Sequence, residues 1–196
     1  MGKSALQLRM ETHPAEKDAI GRATADLISD GDTIMIDGGS TTQYVARRLL
    51  AKRRLTFVTN ATSLVPALLA ISDAEVHLTG GLLNREFETL LGEVCVETLR
   101  HFRATKAVLG IDGVSLQSGF TATHASVAAA KRKMAAASET VIVVCDHTKF
   151  EQVCLMPIAS IEDVDYLVTD SGAPPEMVEA IRARGTEVIV APLDQT

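Results

Sequence analysis

The chain has 196 residues, enough for one sizeable α/β domain with a buried core. Its hydrophobic share of 46% argues against disorder, and its formal net charge of -6 argues against a chain that binds nucleic acid by itself. Three cysteines without a signal peptide are typical of a cytoplasmic protein, and no apolar run approaches the roughly 18 residues that cross a bilayer. We therefore expect a cytoplasmic protein with no membrane partner.

The helices are predicted from capping residues and apolar stripes. Residues 1–12 show no core pattern, so we expect a linker remnant there and one ligand-binding domain over residues 13–196. Pro14 suits the first position of a helix, which Asp30-Gly31 ends. Asn60 is expected to cap a later helix. Other helices are predicted from about residue 42 and over 93–100, 126–137 and 174–184.

Short runs rich in valine and isoleucine predict the strands, over residues 33–36, 55–58, 75–78, 106–109, 141–144, 166–168 and 188–190. The stretch 80–92 is expected to be a loop with room for a small insertion. Because strands alternate with helices, the sequence predicts an α/β fold. Its expected form is a three-layer, mostly parallel, Rossmann-like sheet with helices on both faces.

Polar residues follow six of these strands directly. The carboxyl ends of parallel strands share one edge of a sheet, which is where ligands bind in open α/β folds. The opposite edge, for example around residues 52–54, shows no such set. The candidate ligand-binding residues at the carboxyl edge are Asp37, Gly38, Gly39, Ser40, Thr41, Thr42, Thr59, Asn60, Gly80, Gly81, Asp112, Asp146 and Lys149.

The segment from Gly38 to Thr42 leads directly into a helix. Glycines allow close backbone approach, hydroxyls donate hydrogen bonds, and a helix N-terminus favours an anion, so the segment has the properties of a phosphate cradle. The alternative is that Ser40 or Thr41 merely caps the helix. Six polar strand endings on one edge favour a binding site.

Charged residues at the same edge suggest a sugar phosphate. Asp37, Asp112 and Asp146 can accept hydrogen bonds from sugar hydroxyls, or serve as turn residues. Lys149 can meet the phosphate as a point charge, or be a surface lysine. Arg85 and Lys131 are weaker candidates, since Lys131 can simply be a solvated residue of an alanine-rich helix. His124 and His147 are expected to have surface or capping roles.

Metal and nucleophile patterns are missing. The spacing of Cys145, His147 and Cys154 fits no common zinc site, and buried thiols are the better interpretation. The sequence has no G-x-S-x-G, H-E-x-x-H or catalytic C-x-x-C motif. We therefore expect no metal, no cofactor and no catalytic residues.

At these residues the chain resembles the C-terminal effector domain of DeoR-type bacterial repressors, from about residue 12 onward. The stretches that carry the resemblance are Glu16-Lys17 to Ile20, Asp30-Gly31-Asp32, Asp37 to Thr42, Thr59-Asn60, Gly80-Gly81, Gly92, Gly110-Ile111-Asp112-Gly113, Gly119-Phe120-Thr121, Lys131 to Met134, Asp146 to Phe150 and Thr169-Asp170. The resemblance adds Thr121 to the candidate ligand-binding residues. It implies a domain that senses a phosphorylated sugar or related metabolite, with a fold similar to ribose-5-phosphate isomerase and the glucosamine-phosphate deaminases.

The resemblance also implies partners. DNA is bound only through a separate helix-turn-helix domain, which this chain lacks, and a homodimer or larger homo-oligomer is expected. Many relatives carry a glutamate four or five residues before the lysine that matches Lys131, where this chain has Ser126 and Val127. The related isomerases use a glutamate of this helix as a base, so its absence weakens the alternative of a sugar-phosphate isomerase. A stand-alone oligomeric scaffold is a third, weaker hypothesis.

Overall fold

The computed structural model describes residues 3–193. The helices are α1 (Ala5–Met10), α2 (Pro14–Asp26), α3 (Ser40–Arg48), α4 (Val65–Leu69), α5 (Glu93–Arg100), α6 (Ala125–Ala136) and α7 (Pro175–Arg182). The strands are β1 (Thr33–Ile36), β2 (Thr56–Thr59), β3 (Glu75–Leu78), β4 (Leu82–Asn84), β5 (Thr89–Leu91), β6 (Ala104–Gly110), β7 (Gly113–Ser115), β8 (Gly119–Ala122), β9 (Ser138–Val144), β10 (Met156–Ala159), β11 (Tyr166–Asp170) and β12 (Glu187–Ala191).

Seven of these strands form the central sheet, in the order β12-β11-β9-β6-β1-β2-β3. Every pairing in this sheet is parallel. The strands carry apolar side chains toward both faces, as the run from Val141 to Val144 shows, because a parallel sheet between helices is buried on both sides. The predicted fold class and the seven sheet strands are confirmed.

Two apolar clusters cover the two faces. On one face, α2, α3 and α4 bury side chains such as Ile20, Val45 and Leu68 against the sheet. On the other face, α5 and α6 bury Cys95 and Met134, and α7 also packs there. This arrangement is the predicted three-layer architecture.

Two small antiparallel sheets were not predicted. One is the β4–β5 hairpin, which lies inside the stretch 80–92 that the sequence assigned to a loop. The other is formed by β10, β8 and β7, between β6 and β11 in the chain. Strands of three or four residues are too short to show an alternating pattern, so only tertiary contacts distinguish them from loops.

The first segment is ordered differently from the expectation for residues 1–12. Within the described part of that segment, α1 begins at a capping box of Ser4 and Gln7 and buries Leu6 to 3% exposure. A single buried apolar residue gives no visible periodicity. Whether the segment also serves as a linker stays a prediction.

Asn60 does not cap a helix. Its side-chain amide donates to the carbonyl of Leu90 at 3.1 Å, and its backbone carbonyl accepts from the amide of Leu90 at 2.7 Å. The residue therefore joins the end of β2 to the β4–β5 hairpin. This contact folds the hairpin over the carboxyl edge of the sheet.

Candidate functional site

A cavity lies where the strand order of the central sheet reverses. From β1 the chain passes to β2 and β3, and then returns to β6 on the other side of β1. Ligands of open α/β sheets bind at such a switch point, beyond the carboxyl ends of the strands. Asp37 follows β1 and Gly110 ends β6, and both line this switch-point cavity.

Asp37 and Lys131 form a buried ion pair in the cavity. One carboxylate oxygen of Asp37 accepts from the amide of Gly110 at 2.9 Å, and the other contacts the ammonium of Lys131. Lys131 also donates to the carbonyl of Gly110 at 2.9 Å. Only 5% of Lys131 and 2% of Asp37 are exposed, so the alternative of a solvated lysine is wrong.

The charge of Lys131 depends on this partner. Burial lowers the pKa of its ammonium, to about 7, and the charge of Arg9 acts in the same direction. The Asp37 carboxylate favours the charged form of Lys131, because an opposite charge in direct contact stabilises the ammonium. The pair therefore holds one positive and one negative charge at the base of the cavity.

The segment from Gly38 to Thr42 borders the cavity and begins α3. Gly39 is the residue before the helix, and no side chain caps it. The hydroxyl of Thr42 donates to the carbonyl of Gly39 at 3.0 Å. Among the described residues, no side-chain hydrogen bond caps the start of α3. The capping role considered for Ser40 or Thr41 is therefore wrong. An uncapped helix N-terminus at a cavity favours an anion.

Gly38 has a packing role in addition. A Cβ atom built there would lie 2.2 Å from Cγ2 of Thr89, which belongs to β5. The glycine thus lets the β4–β5 hairpin approach the end of β1. Thr89 enters the cavity wall for this reason.

Apart from the Asp37 oxygen that contacts Lys131, three buried polar atoms that line the cavity have no hydrogen-bond partner among the described residues: Arg9 Nε, Asn60 Oδ1 and Thr89 Oγ1. An unsatisfied buried polar group costs about 1–3 kcal/mol, so such groups are normally paired. Here one donor, one acceptor and one hydroxyl converge on the same space. That combination suits a ligand with both anionic oxygens and hydroxyl groups.

Lys149 lies in a short 3₁₀ turn, His147–Lys149, that Asp146 begins. Asp146 accepts from the amide and the hydroxyl of Thr148, and its carboxylate lies 3.9 Å from the ammonium of Lys17. Burial raises the pKa of Asp146, but the bonds from Thr148 and the charges of Lys149 and Lys17 outweigh it, so that the pKa lies below its usual value. Asp146 thus positions the turn, while Lys149 lines the cavity.

Most of the sequence-predicted site residues converge. Those that line the cavity are Asp37, Gly38, Gly39, Ser40, Thr41, Asn60, Asp112, Lys131 and Lys149. The others lie outside its lining: Thr42, Thr59, Gly80, Gly81, Thr121 and Asp146.

The outlying residues have internal roles. Thr59 donates to the carbonyl of Ile36 at 2.6 Å. Thr121 donates to the carbonyl of Gly113 at 3.2 Å. Gly81, at φ +126°, would place a Cβ 2.6 Å from the carbonyl oxygen of Leu91. Their direct contact with a ligand stays a prediction without support from the cavity lining.

Several lining residues were not predicted, namely Arg9, Phe87, Thr89, Leu91, Gly110, Ile111, His124, Val127 and Cys145. Arg9 comes from α1, Phe87 and Thr89 come from the hairpin, and His124 precedes α6. The guanidinium carbon of Arg9 lies 5.3 Å from the centre of the Phe87 ring, and the ring of His124 lies 5.0 Å from it. Arg85, the weaker cationic candidate, is exposed and does not line the cavity.

Cys145, the cysteine that lines the cavity, is not an activated nucleophile. Burial, together with the carboxylates of Asp146 and Asp170, raises the pKa of the Cys145 thiol far above its usual value. The side chain is therefore a neutral thiol, as the sequence predicted. Among residues 3–193, no cluster of histidine, cysteine and carboxylate side chains is arranged to hold a metal ion.

Comparison with known proteins identifies the family. Residues 12–171 match the family described as the DeoR C-terminal sensor domain. The chain belongs to this family. It is a ligand-sensing domain of DeoR-family transcriptional repressors, as the resemblance implied.

The similarity to known repressors covers more of the chain than the family match does. The HTH-type transcriptional repressor GlcR of Bacillus subtilis (strain 168) is 32% identical over 187 residues, which cover 95% of this chain and 72% of GlcR. The glycerol-3-phosphate regulon repressor of Escherichia coli (strain K12) is 30% identical over 173 residues, covering 88% of this chain and 69% of the repressor.

No helix within residues 3–193 is long and apolar enough to span a membrane.

A solved structure shows the same fold at low sequence identity. A D-ribose-5-phosphate isomerase in complex with phospho-erythronic acid is 16% identical, with a TM-score of 0.51 over 68% of this chain and 52% of the isomerase. The expected similarity to the isomerase fold is therefore confirmed.

Proposed function

We propose that the switch-point cavity binds a phosphorylated sugar or related metabolite, and that its occupancy modulates DNA binding by a separate helix-turn-helix domain. The three unsatisfied polar atoms on the cavity wall carry this proposal, because a ligand with anionic and hydroxyl oxygens would satisfy all of them. Cationic side chains also outnumber carboxylates in the lining, three to two.

In this proposal the phosphate binds at the start of α3, next to Lys149. The uncapped amides of α3 carry partial positive charge, and Ser40 and Thr41 add hydroxyl donors. Asp37 and Asp112 are then the acceptors for sugar hydroxyls at the opposite end of the ligand. A similar repressor that is named for the glycerol-3-phosphate regulon is consistent with a phosphorylated metabolite as the effector.

The test begins with a thermal-shift screen against sugar phosphates, because a ligand at a hundredfold excess over its Kd stabilises by roughly 2.7 kcal/mol. Calorimetry then compares Thr41→Val and Lys149→Met with the parent. Losing one hydrogen bond to a charged group should weaken binding by roughly ten- to a hundredfold. Lys133→Met is the control, since Lys133 lies outside the cavity lining. Unchanged affinity of both cavity variants would place the phosphate elsewhere.

The alternative is a sugar-phosphate isomerase, which we consider because the fold is similar to that of such an enzyme. Val127 lines the cavity on α6, where an isomerase-like base would need a carboxylate. Asp112 is held by the amide of Thr123, which donates to its carboxylate at 2.8 Å. We therefore propose a regulator without turnover, acting in the cytoplasm. Turnover of ribose 5-phosphate that disappears in Asp112→Asn would contradict this.

Self-association belongs to the same proposal. Two-fold symmetric operators are read by paired helix-turn-helix domains, which favours a homodimer or larger homo-oligomer. The isolated chain, with its net charge of -6, is not expected to bind duplex DNA by itself. Sedimentation showing only monomer at micromolar concentration would count against the oligomer.

A further inference from the structure

The short helix α1 is attached to the domain by few contacts. Leu6 is its buried apolar residue, the hydroxyl of Tyr44 donates to the carbonyl of Met10 at 3.0 Å, and the ammonium of Lys17 donates to the carbonyls of Arg9 and Thr12, both at 2.6 Å. A helix of six residues is not stable alone, so α1 depends on these contacts. Elements held in this way have low local stability and respond to small changes in binding energy.

Arg9 is the residue by which α1 reaches the cavity. Its guanidinium packs over the ring of Phe87, and its buried Nε has no hydrogen-bond partner among residues 3–193. The charge of Lys131 is balanced by the carboxylate of Asp37. The other two cations of the lining, Arg9 and Lys149, have no ion pair with a carboxylate in the described residues. A planar guanidinium suits the oxygens of a phosphate, which it can bind with two parallel bonds.

The junction after α1 also connects to the cavity. Lys17, which holds the last turn of α1, is buried and lies 3.9 Å from Asp146, the residue that positions the turn of Lys149. His13, between α1 and α2, has the left-handed φ of 52° and packs edge-on against His147 of the same turn, with ring centres 5.1 Å apart. The start of the domain is thus joined to the Lys149 turn through the side chains of Lys17 and His13.

We propose that Arg9 is an anion-binding residue and that the bound anion fastens α1 to the domain. This inference rests on the proposed phosphate site, whose regulation it specifies. Without the anion, α1 is held by Leu6, Tyr44 and Lys17 and by the packing of Arg9 on Phe87. With the anion, the guanidinium adds a charge-assisted contact that bridges α1 to the start of α3. Occupancy of the cavity thereby sets the position of the first helix of the described chain.

Hydrogen exchange read by mass spectrometry tests this on the chain as it exists, with inorganic phosphate and glucose 6-phosphate as probes and chloride at matched ionic strength as the blank. Residues 38–48 report the proposed site and residues 4–12 report α1. In the parent, the probe should slow exchange in both segments, by about tenfold or more for α1, since one hydrogen bond to a charged group changes an equilibrium by at least that factor.

Arg9→Gln removes the positive charge and the planar guanidinium. The matched control is Arg53→Gln, which removes an exposed arginine at the opposite edge of the sheet. We expect Arg53→Gln to behave as the parent and Arg9→Gln to lose the response of α1. The proposal is overturned if residues 38–48 respond while α1 does not, or if α1 of Arg9→Gln responds as in the parent. If residues 38–48 respond to neither probe in the parent, the phosphate site itself fails, and this inference fails with it.

Discussion

Strand β1 has a buried or partly buried acid–lysine pair at each end, and the two pairs differ in their surroundings. At the amino end, Asp32 contacts Lys106 at 2.6 Å. At the carboxyl end, Asp37 contacts Lys131. The two aspartates are only five residues apart, on the two edges of the same sheet.

Around Asp32 the polar groups are paired. Its carboxylate accepts from the amide of Ser29 at 2.7 Å and from the hydroxyl of Thr105 at 3.1 Å. The single hydrogen of this hydroxyl is shared between Asp32 and the carbonyl of Thr33, which lies 2.9 Å away. Around Asp37, by contrast, Asn60 and Thr89 present buried oxygens that have no hydrogen-bond partner within residues 3–193. The amino end is thus completed by the chain itself, whereas the carboxyl end is left for a ligand to complete.

The largest expected effect comes from breaking the more deeply buried pair. Lys131→Met leaves the carboxylate of Asp37 without its cation in a buried site, and the loss of one partner of such a pair costs about 3–5 kcal/mol. Urea unfolding of the unliganded chain measures this. Lys133→Met on the same helix is the control and should cost less than about 1 kcal/mol.

The double variant Asp37→Asn/Lys131→Met sharpens the result. The double variant also removes the unpaired carboxylate charge of Asp37, so we expect it to regain part of the stability that Lys131→Met loses. A free energy of unfolding of Lys131→Met within about 1 kcal/mol of the parent would show that the pair contributes no stability.

Two threonine-to-valine changes test the contrast between the ends directly. Thr105→Val removes a hydroxyl that is fully paired, and we expect a loss of about 1–2 kcal/mol. Thr89→Val removes a buried hydroxyl that has no hydrogen-bond partner in the described part of the chain, and we expect the unliganded chain to gain about 1 kcal/mol. The stabilised variant should at the same time bind sugar phosphate no more tightly than the parent.

Thermal or urea unfolding of Thr105→Val and Thr89→Val measures whether each change lowers or raises the free energy of unfolding. Because the substitution is the same, differences in side-chain volume and β propensity largely cancel. If Thr89→Val destabilises as much as Thr105→Val, the oxygen of Thr89 is satisfied in the unliganded chain and the distinction between the two ends disappears.

The central sheet could be predicted because its signals are local. The run from Val141 to Val144 and the pattern of Thr33 to Ile36 are visible in sequence, and parallel pairing follows from the alternation with helices. The small sheets could not be predicted, since β7 and β8 hold their hairpin by contacts with distant Phe150 and Ala159.

The site was predicted where strand endings supply it. Asp37, Asn60 and Lys149 follow strands, and the rule for open α/β sheets brings them together. Arg9 and Thr89 could not be found in this way, because α1 and the hairpin reach the cavity only through the tertiary fold. Lys131 could have been favoured from its position, since it lies among the alanines that bury α6 against the sheet.

The smallest expected effect concerns pH at the amino end. Burial raises the pKa of Asp32, but the hydrogen bond and charge of Lys106, together with bonds from Ser29 and Thr105, lower it further than burial raises it. A carboxyl whose folded pKa is lowered contributes stability above its ordinary pKa of 3.8, and this contribution is lost as the pH falls through the folded value.

Asp32→Asn should therefore cost stability at neutral pH, by less than about 1 kcal/mol because the pair is partly exposed and the amide oxygen still accepts hydrogen bonds. The difference from the parent should narrow once the pH is below 3.8, where the native carboxyl takes up its proton. Urea unfolding at steps of decreasing pH measures it, with the exposed Asp73→Asn as the control for removing a carboxyl. A difference that stays constant down to the acid limit would mean that Asp32 acts through its hydrogen bonds alone, and that its ion pair with Lys106 does not stabilise the amino end of β1.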